Sequence, residues 1–409
     1  MLKKCLLLVC DGLGDRPIEA LGNLTPLEAA RTPNLDSFAA KAECGVMVAL
    51  GRGKRPGSDT SHLAILGYDP AVCYSGRGPI EVAGIGLKLQ DGDIAFRGNF
   101  GTVDDKLVIK DRRGGRIRDV GPLASAVDGM AVEDVSFLVK PGTAHRAGVV
   151  MRGKGLSDAI TDADPHEAGV PVHHVQAKDD TPQAKKTARV LNEFMRKAYE
   201  VLRDLPFNAD RQQQGQIPVN FLLLRGPGQY RAIEPFASRY GMSGCCIAGG
   251  GLYKGIGALL GMELIEAPAA TGLPDTDVRA KFEAALAALA SHDFVFVHVK
   301  AADSLGEDGN YEGKKAFIEK IDQAAAVLVQ RLPQDVLFVA TADHTTPCAL
   351  CAHSADAVPV MFSAPGVRAD SVKTFGERSC ASGILGMMSG LDVMPHILNL
   401  LGRLALIGA

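Results

Sequence analysis

The chain has 409 residues and a formal net charge of −3, with 44 Lys and Arg against 47 Asp and Glu. Such a length buries a large core and points to two domains, or to one domain carrying an insert. Near-neutral charge excludes a broad electrostatic pull toward nucleic acid or an anionic membrane, and no apolar run approaches the ~18 residues of a membrane span.

Taken in chain order, the first signal is the apolar run Cys5 to Cys10, which stops at Asp11. It is too short for a secretion signal and reads as a buried strand. The nine cysteines form no disulfide framework, in keeping with a reducing cytoplasm. Thr32-Pro33-Asn34 marks a helix start with proline in the first turn. Arg55 to His62 is a turn of small and polar residues leading into Leu63-Ala64-Ile65-Leu66. There Ser58 or Asp59 can cap a helix, and a serine so placed also faces free backbone donors that hold a phosphoryl group.

From about residue 90 to 175 the chain is rich in glycine and arginine, with a short alternating run at Val103 to Lys110. An amphipathic helix follows, with Ala188, Leu191, Met195, Ala198 and Leu202 on one face. The polar tract Asn208 to Gln216 reads as a surface loop or linker. We therefore expect residues 90–215 to form a second domain inserted into a core made of 1–89 and 216–409. In the core, Asp277 to Ser291 and Lys314 to Arg331 are helical, the latter with Phe317, Ile321, Ala325 and Leu328 as its apolar stripe. Phe294 to Lys300 and Val336 to Ala342 are continuous apolar runs, which suits strands buried on both faces of a mostly parallel sheet. The strand, helix, strand order there is a parallel crossover.

Three apolar runs end at or near an aspartate: Asp11, Asp303 and Asp343. Strand carboxyl ends are where open α/β sheets bind ligands. Two carboxylates about 4 Å apart repel by roughly 4 kcal/mol at an effective dielectric of 20, so a site gathering all three needs cations. Glu307, His344 and His353 supply further donors, and mixed carboxylate and imidazole ligation suits manganese or zinc better than calcium. The bland alternative for each residue taken singly is a cap, a turn former or an ordinary histidine. Cys348-Ala-Leu-Cys351 beside His353 also has the look of a zinc site, but it lacks a second ligand pair. A third constellation is basic: Arg97, the run Arg112-Arg113-Gly-Gly-Arg116-Ile-Arg118, and His145-Arg146. Guanidinium forks match phosphate and carboxylate, and the glycines let backbone approach a ligand, although such runs are often solvated faces.

Taken together, Asp11 to Pro17, Thr25 to Ala30, Gly57 to Leu63, Leu66 to Pro70, Gly76 to Pro79, Asp111 to Asp119, Ser157 to Pro165, Asp303 to Asn310, Asp343 to Pro347 and His353 to Pro359 resemble the archaeal type of cofactor-independent phosphoglycerate mutases, in the alkaline phosphatase superfamily. The resemblance spans essentially the whole chain. It implies an α/β, alkaline-phosphatase-like three-layer core with a mostly parallel sheet, plus a smaller inserted α+β domain. It also implies a phosphoserine mechanism with two divalent metal ions, manganese first and zinc, cobalt or magnesium open, and no bisphosphoglycerate. One ion would be held by Asp11, Ser58, Asp343 and His344, with Ser58 as nucleophile. The second would be held by Asp303, His353 and Glu307, where the family pattern has a histidine. Lys254 matches a lysine that approaches the phosphoryl group, and His62 a histidine near the nucleophile. Arg97, Arg112, Arg113, Arg116, His145 and Arg146 would clamp the phosphoglycerate substrate. Asp119, Asp162 and Asp164 stand unranked for proton transfer, and the oligomeric state stays open. The competing readings are a phosphatase or a homoserine-kinase-like enzyme of the same superfamily, or a metal-binding relative impaired at Glu307.

Overall fold

A computed structural model describes residues 2–408. Its strands, in chain order, are β1 (Lys4–Cys10), β2 (Ala42–Val48), β3 (Ile94–Val103), β4 (Ile109–Asp111), β5 (Ala131–Val132), β6 (Val135–Pro141), β7 (Arg146–Arg152), β8 (Phe221–Gln229), β9 (Gly244–Ile247), β10 (Glu263–Leu264), β11 (Phe294–Val299), β12 (Val336–Thr341), β13 (Val358–Ser363) and β14 (Gly386–Ser389). The chain divides into two compact units, residues 1–74 with 234–409, and residues 75–233.

The first unit is built on an eight-stranded sheet in the order β10-β9-β11-β1-β12-β13-β2-β14. All its ladders are parallel except those that β13 makes with β12 and β2. Every residue of β11, β12 and β13 is buried, as are Cys5 to Cys10 of β1. That is the pattern of strands covered on both faces, and each fully buried Leu, Val or Phe contributes about 1.5–3 kcal/mol. The expected crossover has one added feature, since β11 and β12 do not pair but flank β1. This places Asp11 at the end of a central strand, between the segments that carry Asp303 and Asp343. Thr345 and Thr346 bridge back to the turn after β1 through Leu13 and Gly14. The helix Tyr311–Arg331 buries Phe317, Ile321, Ala325 and Leu328 as expected, and Asn310 caps its start through Gly313 N.

The second unit is an antiparallel sheet in the order β4-β3-β7-β6-β5, with β8 also pairing β3. The helix Pro182–Arg203, capped by Thr181, lays Ala188, Leu191, Phe194, Met195, Ala198 and Leu202 into this unit's core. Phe194 stacks on Phe137 with ring centroids 3.8 Å apart. The structure divides the chain at 74/75 and 233/234 rather than at 90 and 215, because β8 lies against β3 and the helix Arg77–Gly84 packs on both strands. The tract expected as a loop is instead largely the helix Pro206–Gln213. Proline opens that helix, and Asn208 is buried, bonding Leu202 O and Val219 O and accepting from Val219 N. No helix among the described residues is long and apolar enough to cross a membrane.

Candidate active site

In the first unit the strand ends converge. Asp11 follows β1, Asp343 and His344 follow β12, and Asp303 sits in the helix Ala301–Glu307 just after β11. Gly12 turns the chain away from β1 at φ +61, where a Cβ would lie 2.6 Å from Asp303 and from Thr346 Oγ1, so only glycine fits. Its N–H donates to Asp343 Oδ1 at 3.0 Å. Ser58 is the first residue of the helix Ser58–Ile65, and its Oγ lies 3.1 Å from His344 Nε2. That same nitrogen is 3.4 Å from Asp11 Oδ1 and 3.1 Å from Asp343 Oδ2. His62, one turn on, is fully buried and donates from Nδ1 to the Ser58 carbonyl at 2.6 Å.

Two overlapping groups have ligand atoms within 4.8 Å of one another: Asp11, Asp343 and His344, and Asp303, His344 and His353. His353 Nδ1 donates to Pro56 O at 2.9 Å, which leaves Nε2 turned toward Asp303 Oδ1 at 3.4 Å. Burial pushes the Asp11 carboxyl up, but the Lys300 ammonium, His298 and His344 outweigh it and hold Asp11 well below the usual carboxylate range. Burial likewise opposes ionisation of Asp303, yet His353, Lys300 and His344 bring it down to about 2. For His344 burial works against charge, and Asp343, Asp11 and Asp303 raise it to about 9. Asp11 Oδ1 and Asp343 Oδ2 are buried without a hydrogen-bond partner. Orphaned carboxylate oxygens beside imidazoles and a serine hydroxyl form a donor set that fits divalent cations. Neither Cys348 nor Cys351 belongs to a ligand cluster among the described residues; Cys348 N is bonded to Asp15 instead.

Glu307 lies at the margin, its Oε1 3.8 Å from His353 Nε2 and its side chain half exposed. Lys254 is held by Glu266, at 2.6 and 2.8 Å from the two carboxylate oxygens, and no bond joins it to the cluster. Four residues that sequence reasoning passed over are present. Tyr253, next to Lys254, donates to Asp11 Oδ2. His298 Nε2 donates to the same oxygen at 3.0 Å, and burial pushes that imidazole down to about 3. Lys300 Nζ donates to Asp303 Oδ2 at 2.7 Å, and Thr346 Oγ1 to Asp303 Oδ1 at 2.7 Å. The usable signals were a histidine and a lysine closing a wholly apolar strand, the places a buried sheet least tolerates them.

In the second unit a cavity of about 220 Å³ is lined by Arg97, Asn99, Arg112, Arg113, His145, Arg146 and Arg225. Arg97 Nε, Arg225 Nε and Asn99 Oδ1 are buried there without a partner. Burial lowers the Arg97 guanidinium to about 10, with Arg225, Arg77 and Arg146 adding to the effect against Glu81. His145 is lowered by burial and by Arg146, Arg113 and Arg97. Arg112 forks onto Asp164 at 3.0 and 2.6 Å, which ties that aspartate into an ion pair. Arg116 is not brought to this cavity; at φ +57 it lines a separate one with Arg118 and Arg211. Arg225, missed in the sequence, closes an apolar strand run in the same way as Lys300.

A sequence profile of 2,3-bisphosphoglycerate-independent phosphoglycerate mutases matches residues 39–208. The chain is 45% identical over 409 residues to 2,3-bisphosphoglycerate-independent phosphoglycerate mutase 1 of Methanocaldococcus jannaschii, covering 99% of each. It is 44% identical to the enzyme of the same name from Methanothermobacter thermautotrophicus, over 99% of this chain and 100% of that one. Among solved structures, a Pyrococcus horikoshii protein aligns with TM-score 0.84 and 34% identity over 100% of both chains. The cofactor-independent phosphoglycerate mutase of Thermoplasma acidophilum aligns with TM-score 0.76 and 38% identity, over 98% of this chain and 100% of that one. Full-length identity of this order, on a fold whose strand ends gather those carboxylates and imidazoles around a serine, makes this chain a member of the 2,3-bisphosphoglycerate-independent phosphoglycerate mutase family.

Proposed function

We propose that this chain interconverts 3-phosphoglycerate and 2-phosphoglycerate through a phosphoserine at Ser58, without bisphosphoglycerate. The observation that carries the reading is Ser58 Oγ at a helix start, 3.1 Å from His344 Nε2 within the Asp11, Asp343 and His344 group. Asp11, Ser58, Asp343 and His344 would hold one divalent cation, and Asp303, His353 and Glu307 a second. Bound there, the cations would favour the serine alkoxide and offset the charge of the phosphoryl group. Manganese is the first candidate, because the donors mix hard carboxylates with imidazole.

The chain's own residues supply the rest. The Ser58 oxygen takes the phosphoryl group as the bond to the substrate's 3-oxygen breaks, and a proton ends on that oxygen. The glycerate then presents its 2-hydroxyl, which takes the group back, and the serine regains a proton. Free N–H groups at the helix start and the Lys300 ammonium favour the phosphoryl oxygens. His62 fixes the serine backbone through its carbonyl. Arg97, Arg112, Arg113, Arg146 and Arg225, with His145, bind the anionic ends of the substrate, which keeps the dephosphorylated glycerate from leaving. Arg116 takes no part in this reading, and Lys254 does so only by leaving Glu266. We place the enzyme in the cytoplasm.

Phosphorus NMR of the purified chain with manganese and 3-phosphoglycerate tests this. The expected result is 2-phosphoglycerate formed without added bisphosphoglycerate. Free phosphate alone would make the chain a phosphatase and overturn the mutase reading.

A further inference from the structure

Thr346 stands behind both ligand groups. It is fully buried, and its Oγ1 lies 2.7 Å from Asp303 Oδ1 and 3.1 Å from His344 Nδ1. A hydroxyl carries one proton. Since that proton goes to the carboxylate, the imidazole must be the donor in the second bond, and Nδ1 of His344 carries a proton whatever the charge of the ring. Nε2, the nitrogen that faces Ser58, Asp11 and Asp343, is then the one left for a ligand bond.

The placement of this hydroxyl is enforced from three sides. Lys314, also fully buried, spends its ammonium on Thr346 O at 2.9 Å, Gly14 O at 2.8 Å and Asp15 Oδ2 at 2.8 Å. Thr346 N donates to Gly14 O at 3.1 Å. A Cβ on Gly306 would lie 2.5 Å from Thr346 O, and one on Gly12 would lie 2.6 Å from Thr346 Oγ1, so both glycines make room for this residue.

We propose that Thr346 is a positioning residue that joins the two ligand groups into one unit, relaying a hydrogen bond from the imidazole of His344 to the carboxylate of Asp303. The inference rests on reading those residues as metal ligands. Outer partners of this kind fix the ring orientation and tautomer of a ligating histidine, and their loss lowers metal affinity about 10- to 100-fold. One hydroxyl thus holds a residue of each proposed ion site in place.

The test is manganese titration of the full chain, with free ion read by electron paramagnetic resonance, for the wild type, Thr346→Val and Thr346→Ser. Nitrogen NMR of the metal-free proteins well above pH 9, where the His344 ring is neutral, reports its tautomer. The expected outcome is two ions bound by wild type and Thr346→Ser with affinities within a few-fold of each other. Thr346→Val, similar in shape but without the hydroxyl, loses about 10- to 100-fold in affinity and loses the Nδ1–H signature. If Thr346→Val fails to give a cooperative thermal transition, Thr346→Ala, which adds no volume, replaces it. Unchanged affinities and an unchanged His344 signal in the variant overturn the inference while leaving the two-metal reading standing. A wild-type chain that binds fewer than two ions overturns that reading and the inference with it.

Discussion

The two units solve opposite electrostatic problems. In the first, carboxylates from three adjacent parts of the sheet are packed together, and the orphaned atoms include the acceptors Asp11 Oδ1 and Asp343 Oδ2, beside His62 Nε2 and His298 Nδ1. In the second, guanidinium groups are packed together, and two of the three orphaned atoms are donors, Arg97 Nε and Arg225 Nε. Buried polar atoms lacking partners cost about 1–3 kcal/mol each. On the function proposed above, the first kind is kept for cations and the second for anions.

The largest expected effect breaks the first site at its nucleophile. Ser58→Ala should lower turnover by about 10³-fold or more, while thermal stability and the ion held near Asp303 and His353 stay close to normal. Near-normal turnover in the phosphorus NMR assay would remove the phosphoserine from the mechanism. Next in size is the anion cavity. Charged hydrogen bonds are worth about 1.5–3 kcal/mol, so Arg97→Ala should raise KM about 10- to 100-fold. Its thermal midpoint without phosphate should not fall, because Arg225 and Arg146 lose a like-charged neighbour. A lowered midpoint with an unchanged KM would make Arg97 a structural residue.

A smaller effect is expected at the margin of the metal groups. Glu307→His replaces an oxygen donor by an imidazole and should move the preferred ion by a few-fold from manganese toward zinc or cobalt. An identical metal profile in the two proteins would take position 307 out of the ligand set. The smallest effect concerns a carboxyl outside both sites. Glu377 accepts from Asp15 N at 3.2 Å and from Thr25 Oγ1 at 2.8 Å, and burial raises it from 4.5 to about 7, with Glu28 adding to the shift. The folded chain therefore holds this proton over a pH range in which the unfolded chain has released it. Its contribution to stability is full below about pH 4.5 and is lost as the pH rises through 7. Glu377→Gln should flatten that slope and stabilise the protein at pH 8 by about 1 kcal/mol, read as a higher denaturation midpoint. A slope that persists in the variant would assign it to another group.

Much of the first site was legible because its signals are local. A continuous apolar run that stops at a carboxylate is visible as such, and it located Asp11, Asp303 and Asp343. Adjacency and the polar turn brought in Ser58, His344 and His353 as candidates, and the resemblance then gave them roles. The residues passed over act through space. Tyr253 and Thr346 are ordinary in their own segments and acquire a role only when the turn after β1 meets them. Spacing also misled in the second unit, where Arg112 and Arg116 are close in sequence yet a left-handed turn at Gly114, Gly115 and Arg116 sends them to different cavities. The helix Pro206–Gln213 was missed for a similar reason, since its one fully buried side chain, Asn208, is polar and is held by backbone groups of Leu202 and Val219, with Phe207 only partly buried against the core.

The central place of β1 has a consequence for biosynthesis. Among the described residues its ladder partners are β11 and β12, which begin at Phe294 and Val336. At roughly 5–20 residues per second the ribosome takes about 15–70 s to make what lies between. Until β11 is made, Cys5-Leu-Leu-Leu-Val-Cys10 has neither strand neighbour, and β2 waits longer still for β13 and β14, so two apolar edges of the sheet stay unpaired until the last third of the sequence is made. Chaperone capture during synthesis should concentrate on β1 and β2 and end only when β14 emerges.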